Sequence, residues 1–368
     1  MFETKPAGYR ADAPRLLLLD EVTQAPRWDL SLKQLVDRAR AQPPATRDRI
    51  LVTDSAAALL RRDARETLEG RVDEVRIHGL TFREALHLQS ADGEPEREVL
   101  RSPGALERYL AIGGLPEHQL AAGDDRPRIW ERVRSDVADR AIARDLSRED
   151  VDVERVTALF RCLVQDSGGV FTASNRARDL GADNRTVGHW VALLEQAWLL
   201  NRLLPWHPGL RRGFHRPSRA LRSRPKVFAG DHGYIPAFSP FASPMAHTGV
   251  RASVFEATVF THLRALRGQL RFQHFFYREN DDVEIDFVLD FDDVAIGIEV
   301  TSAKSPDKKL GASRSGAERA GVDRLIVVHG GPIEPHESED FATWPIGAFL
   351  LDPAGCIQRS LEWARKSR

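Results

Sequence analysis

Apolar positions along this chain keep two rhythms, and each change of rhythm marks a change of domain. Residues 15–20 predict a strand whose Leu16–Leu19 is an unbroken apolar run leading into acid. Residues 30–41 repeat Leu32, Leu35, Val36 and Ala39 at helical spacing, and 49–55 is a second apolar run closing in small polar residues. Residues 72–77 alternate with period two and predict a third strand, followed by a short helix in 81–86. Gly113-Gly114-Leu115-Pro116-Glu117 breaks the pattern, and a polar, arginine-rich helix follows from Pro127 to about Asp145. From 151 to 207 the order becomes helix, helix, turn, helix, strand. Thr172 is placed to N-cap 173–180, Gly181 supplies the turn, and Asp183 or Asn184 opens a helix carrying Val187, Val191, Leu194 and Ala197. Residues 198–206 return as an extended strand, which is helix-turn-helix spacing with a wing. The last block is α/β again, with a helix over 254–266, strands over 284–289, 295–301 and 324–330, and a closing helix.

Composition narrows the class. At 368 residues, 42% apolar and 29% charged, the chain is long enough for two or three globular domains, each with its own core. A net charge of −1 argues against a uniformly basic, nucleic-acid-coating surface, although a local patch stays open. Such a patch is written in 207–230, which holds no acid but carries Arg211, Arg212, Arg216, Arg219, Arg222, Arg224 and Lys226. Two cysteines, Cys162 and Cys356, exclude a disulfide framework and a cysteine-built zinc site. No apolar run reaches membrane-spanning length and the first residues hold no signal-peptide core, so a cytoplasmic protein with no membrane partner is expected.

Three constellations carry candidate chemistry. Leu16-Leu17-Leu18-Leu19-Asp20-Glu21 is the pattern of a Walker B strand, in which the Asp holds magnesium and the Glu polarises the attacking water. Yet the 368 residues contain no G-x-x-x-x-G-K-[ST] phosphate loop, so ATP is expected as a cofactor only if that segment is supplied. In the helix-turn-helix, Asn184, Arg185 and His189 lie on the expected recognition helix, with Arg176 and Arg178 before it; that mix reads base edges and phosphates. Arg211, Arg212 and Arg216 extend a phosphate-tracking stretch, while the bland alternative is a dimerisation or packing unit beside a solvated linker. In the last block, Glu256 on a helix and Asp286 and Glu299 on neighbouring strands are the acids that a metal-dependent nuclease core needs, Asp286 and Glu299 being the magnesium ligands. The water-activating Lys, two residues past Glu299, is Thr301 here, and Lys304 is the nearest replacement.

The order of these motifs resembles a group of bacterial and archaeal AAA-type ATPases with a C-terminal domain of unknown function. The resemblance runs through the opening leucine strand, ILVTDSAAALL, LEGRVDEVRIHGLTFREAL, GGLPE, the winged helix, KVFAGDHGY, VFEATVF, VEIDFVLD and AIGIEVTSAK. It implies an α/β fold of three parts: a truncated AAA-like P-loop-type sheet, a winged helix-turn-helix, and a C-terminal restriction-endonuclease-like (PD-(D/E)XK-like) domain. The boundaries expected are 1–118, a helical connector 119–150, the winged helix 151–207, a basic linker 208–230, and 231–368. It also implies for Arg71 the place of a trans-acting arginine, against an ordinary ion pair with an acid. The chain departs from the family in lacking the opening strand and phosphate loop, in Asp54 where glycine is usual, and in Thr301 where lysine is usual. The missing strand belongs beside 49–55. About 60–80 residues, a strand–loop–helix unit plus one strand, are therefore expected to be lost or supplied by another chain, leaving the leucine strand without cover. The activity expected is nucleic-acid or protein-partner binding, self-association included, without ATP hydrolysis. The alternatives are a metal-dependent DNA nuclease and a protein-interaction scaffold.

Overall fold

In the computed structural model, which describes residues 14–54, 67–73, 75, 77–89, 103–121, 123, 125–146, 151–208, 224–280, 283–332 and 334–367, the leucine run becomes strand β1 (Leu16–Leu19). Helix α1 (Trp28–Arg40) returns the chain so that β2 (Arg49–Val52) pairs in parallel with β1, Leu17 opposite Ile50 and Leu19 opposite Val52. A parallel pair needs such a crossover. α1 buries Trp28, Leu32, Val36 and Ala39, residues three and four apart that form one helical stripe. That stripe packs with Leu68 and with Leu19, Ile50 and Val52 of the strands. The opposite pleat is bare: Leu16 is 63% exposed, Leu18 65% and Leu51 51%. The strand expected over 72–77 does not form where it is described. Val72, Val75 and Ile77 lie in irregular backbone and are exposed, and among the described residues no neighbouring strand or apolar face receives them.

The chain divides into two compact units, Met1–Ile77 and His78–Arg368. Residues 78–118, grouped by their rhythm with the first block, lie in the second unit. Helices α2 (Phe82–Gln89), α3 (Pro103–Ile112) and the short α4 (Pro116–Gln119) bring Phe82, Leu86, Tyr109 and Ile112 into one core with Phe160, Phe255 and Phe260. The arginine-rich helix is α5 (Arg126–Ser135), continued by a π-helical stretch (Asp136–Ile142) and by α6 (Ala143–Leu146).

Three helices and a small sheet follow: α7 (Val153–Gln165), β3 (Gly169–Val170), α8 (Ala173–Leu180), α9 (Asn184–Gln196), β4 (Leu200–Leu203) and β5 (Lys226–Ala229). β5 is central, antiparallel to both β3 and β4. Gly181 ends α8 at φ +60°, a left-handed turn that glycine takes without Cβ strain. Asp183 caps α9 by accepting the Arg185 and Thr186 N–H groups at 2.8 and 2.9 Å, whereas Thr172 occupies the N-cap of α8 without a side-chain cap bond. The strand expected over 198–206 is shorter, with left-handed Trp198 ahead of it (φ +63°). Beyond it Pro205 bridges Phe276, so the chain leaves the small sheet for the large one.

After α10 (Tyr234–Ala237), helix α11 (Thr248–Leu270) runs 23 residues, well past the 254–266 expected. The large sheet holds β6 (Gln273–Arg278), β7 (Glu284–Asp290), β8 (Ala295–Thr301), β9 (Arg324–His329), β10 (His336–Glu337) and β11 (Phe341–Pro345), in the order β10-β11-β9-β8-β7-β6. β8, β9 and β11 run parallel. α12 (Asp307–Ala320) covers one face through Ala317 and Ala320 against Ile285, Leu325 and Val327. Phe255 and Phe260 of α11 meet Phe287, Ile296 and Ile298 on the other. Helices α13 (Ile346–Leu351) and α14 (Pro353–Lys366) close the unit. No described helix is long and apolar enough to cross a membrane.

Candidate functional site

In the first unit the acidic pair stands at the end of β1. Asp20 accepts a hydrogen bond from the Thr53 hydroxyl at the end of β2, and Glu21 takes a left-handed backbone (φ 52°, ψ 45°). Asp54, which stands where the family's glycine is expected, accepts the Thr23 N–H at 2.7 Å. The two strand ends are thus stitched by side chains into one polar corner. Arg71 pairs with Asp37 of α1 at 3.0 Å on the surface, the ordinary ion pair.

In the second unit α9 buries Val187, Trp190, Val191, Leu193 and Leu194 and leaves Asn184, Arg185 and His189 exposed on one side. Arg178 of α8 is also exposed, while Arg176 is committed to Asp166 and Asp179. Arg211, Arg212, Arg216, Arg219 and Arg222 lie outside the described residues. Lys226, counted with them in the acid-free stretch, is no part of a phosphate-facing surface: its side chain is 3% exposed and faces acids.

Those acids are the unexpected site. The Lys226 ammonium lies 2.8 Å from Glu256 Oε1 on α11, 2.6 Å from Glu284 Oε1 and 3.3 Å from Asp286 Oδ1, the last two on β7. Asp286 also accepts the Val300 N–H of β8 at 2.9 Å, and Glu299, next to Val300, is buried. Burial alone would depress the lysine pKa, but Glu256, Asp286 and Glu284 overcome it and hold the group well above its ordinary value. Burial pushes the Glu256 carboxyl up, against the pull of Lys226. Glu256 also borders an open cleft of about 630 Å³ with Asp166, Gly168, Asn175, Arg176 and Asp179. Gly168 has φ +88°, and a Cβ there would stand 2.8 Å from Glu256 Oε2. Thr301 ends β8, and Lys304 is exposed in the loop beyond it.

The structure therefore joins Glu256 and Asp286 and adds Glu284, which carries no signal in the sequence, and Lys226, which the sequence places in the basic patch instead. Glu284 is the second residue of the quoted VEIDFVLD motif and Lys226 opens KVFAGDHGY; a lysine between a basic stretch and an apolar strand carries no sign of its partners. Magnesium fits this donor set poorly. A hard divalent ion needs about six oxygens at 2.0–2.6 Å, and an ammonium already stands among the carboxylates. Among the described residues no group of three or more His, Cys, Asp or Glu is disposed to hold a metal ion.

A second polar junction explains two other motifs. Buried Asp231 of GDHGY accepts the N–H groups of Gly114 (2.9 Å) and Gly233 (2.8 Å). A Cβ on Gly113, at φ +83°, would collide with that carboxylate, so GGLPE and GDHGY are two halves of one contact.

Residues 3–86 match an AAA domain family, residues 104–244 a domain of unknown function (DUF8612) and residues 251–349 another domain of unknown function (DUF4143). The chain is 24% identical over 320 residues to an uncharacterized protein of Mycobacterium tuberculosis, covering 86% of this chain and 65% of that protein. It is 27% identical over 225 residues to an uncharacterized protein of Haemophilus influenzae (59% and 50% covered). With an uncharacterized protein of Methanocaldococcus jannaschii the figures are 26% over 215 residues (52% and 43% covered). The chain thus spans less than two thirds of the length of these curated relatives. No solved structure matches it.

Proposed function

We propose that this chain, an AAA-type ATPase-like protein with C-terminal domains of unknown function, binds nucleic acid through the α8–α9 pair and turns over ATP only when a phosphate-loop segment is supplied. In this reading residues 151–207 are a winged helix, and Asp20 and Glu21 are the acids of a Walker B strand. The carrying observation is the outer side of α9, where Asn184, Arg185 and His189 stand exposed just past a tight Gly181 turn. Those side chains suit base edges and phosphates at the N-terminal end of a recognition helix. The test is the binding of labelled duplex DNA across a salt series. Affinity falls steeply with added salt, since each neutralised phosphate releases counterions. Charge reversal at Arg211, Arg212 and Arg216 weakens binding on every sequence, as does Arg178→Glu, while Asn184→Ala or Arg185→Ala changes the ranking of sequences. Equal affinity of wild type and the charge-reversed variants would end this reading.

A second reading, a docking surface for a protein partner or another copy, draws on the bare pleat of Leu16, Leu18 and Leu51. Metal-dependent DNA cleavage through Glu256, Asp286 and Glu299, with Lys304 as the activating base, has weaker support because Lys226 engages two of those acids.

A further inference from the structure

We infer that Lys226 is the resident cation of the acidic corner: its ammonium, delivered by the small sheet, takes the place among Glu256, Glu284 and Asp286 that a divalent ion would need, and keeps such an ion out. An ammonium has three protons, and here it has three carboxylate partners at 2.6–3.3 Å drawn from a helix and a strand of the large α/β layer. Its donors are saturated, and the side chain is 3% exposed.

The lysine is also held where it is. Lys226 pairs with both neighbours of the central strand β5, opposite Val170 and Leu203. The Gly168 N–H donates to the Val227 carbonyl at 2.8 Å. Past β4, the Trp206 N–H donates to the Phe276 carbonyl at 2.5 Å, and Phe276 N–H donates back to Leu204 at 3.1 Å. The Trp206 indole N–H reaches the Ala320 carbonyl at 2.8 Å. The two backbone bonds to Phe276 fasten the segment after β4 to edge strand β6, the indole bond fastens it to α12, and the ammonium lies 5.6 Å from the centre of the Phe276 ring. A metal ion entering the corner would have to displace an ammonium whose strand is fixed on both sides and which, buried, would lose its partners. At the position two residues past Glu299 stands uncharged Thr301, so the charge of this corner comes from another strand. The result is an ionic tie between two sheets, built on Glu284 and on two acids, Glu256 and Asp286, that the sequence pattern offers as those of a metal-dependent core.

The full chain tests this with Mn2+ as probe. Wild type is expected to keep its melting temperature within about 1 °C up to 5 mM Mn2+ and to leave the free-Mn2+ paramagnetic resonance signal undiminished. Lys226→Met keeps the stem and removes the charge. It is expected to melt lower, to bind Mn2+ at least tenfold more tightly than wild type, and to recover part of its melting temperature when Mn2+ is added. A folded Lys226→Met that gains no Mn2+ affinity overturns the inference. So does wild type that binds Mn2+ and loses that binding in Asp286→Asn. Should Lys226→Met not fold with or without Mn2+, the wild-type titration decides: no stabilisation by Mn2+ upholds the tie, and an Asp286-dependent stabilisation refutes it.

Discussion

Strands β1 and β9 are written in the same language and end in opposite surroundings. Every residue of Arg324–His329 is buried, because β9 lies between β8 and β11 with helices on both faces. Leu16–Leu19 is just as apolar, yet alternate leucines stand in solvent, because α1 covers one face of a two-stranded pair and nothing described covers the other. A continuous apolar run declares that a strand is built for a sheet covered on both sides. It does not declare where the cover comes from.

The sharpest way to break this contrast is to remove a ring from one sheet and a leucine from the other. Phe287, buried against Phe228 and Phe260, is expected to cost about 3–5 kcal/mol as Phe287→Ala. Urea unfolding followed by tryptophan fluorescence measures it; a loss below 1 kcal/mol would mean that the large sheet is loosely packed. Acid gives the next effect. Burial pushes the His262 pKa down to about 3, and its ring stays neutral by accepting the Phe82 N–H while facing the Thr258 carbonyl. The unfolded chain binds the proton first, so stability is complete above pH 6.5 and drains as pH falls toward 3, by about 2–3 kcal/mol at pH 4.5. Melting across that range, repeated with His262→Gln, should show a flatter profile in the variant; identical profiles would contradict it. Arg71→Ala, which breaks a surface pair with Asp37, is expected to cost less than about 1 kcal/mol in the same unfolding assay. Smallest of all, Leu18→Lys on the bare pleat should change stability by no more than about 0.5 kcal/mol while reducing self-association in sedimentation. A loss above 2 kcal/mol would show that this face is covered and would dissolve the contrast.

Where local pattern and tertiary partner agreed, the sequence was legible. The helices over 173–180 and 184–196, with Gly181 at the turn between them and Asp183 as cap, are local chemistry and form where the pattern puts them. The apolar runs at 284–290, 295–301 and 324–329 are strands because helices bury both their faces. The failures are tertiary. The alternation at 72–77 names no partner strand, and the leucines exposed on β1 look on paper like those of a core. Strand β6 (Gln273–Arg278) mixes polar and aromatic residues in a six-residue stretch, and α12 is diluted with Gly311, Ser313, Ser315 and Gly316, so neither was expected. Of the acidic corner, Glu256 and Asp286 are legible in the sequence as members of one acidic constellation with Glu299. The role of Lys226 is not, because its partners come from a crossing of two sheets, made where Leu204, Pro205 and Trp206 meet Phe276.

The proposal that Asp20 and Glu21 are Walker B acids that turn over ATP only when a phosphate-loop segment is supplied is tested most directly by the hydrolysis of magnesium ATP by the purified 368-residue chain, compared with Glu21→Gln. The account predicts phosphate release no faster than the protein-free blank, and the same rate in the variant. Robust turnover by the wild type that disappears in Glu21→Gln would contradict it.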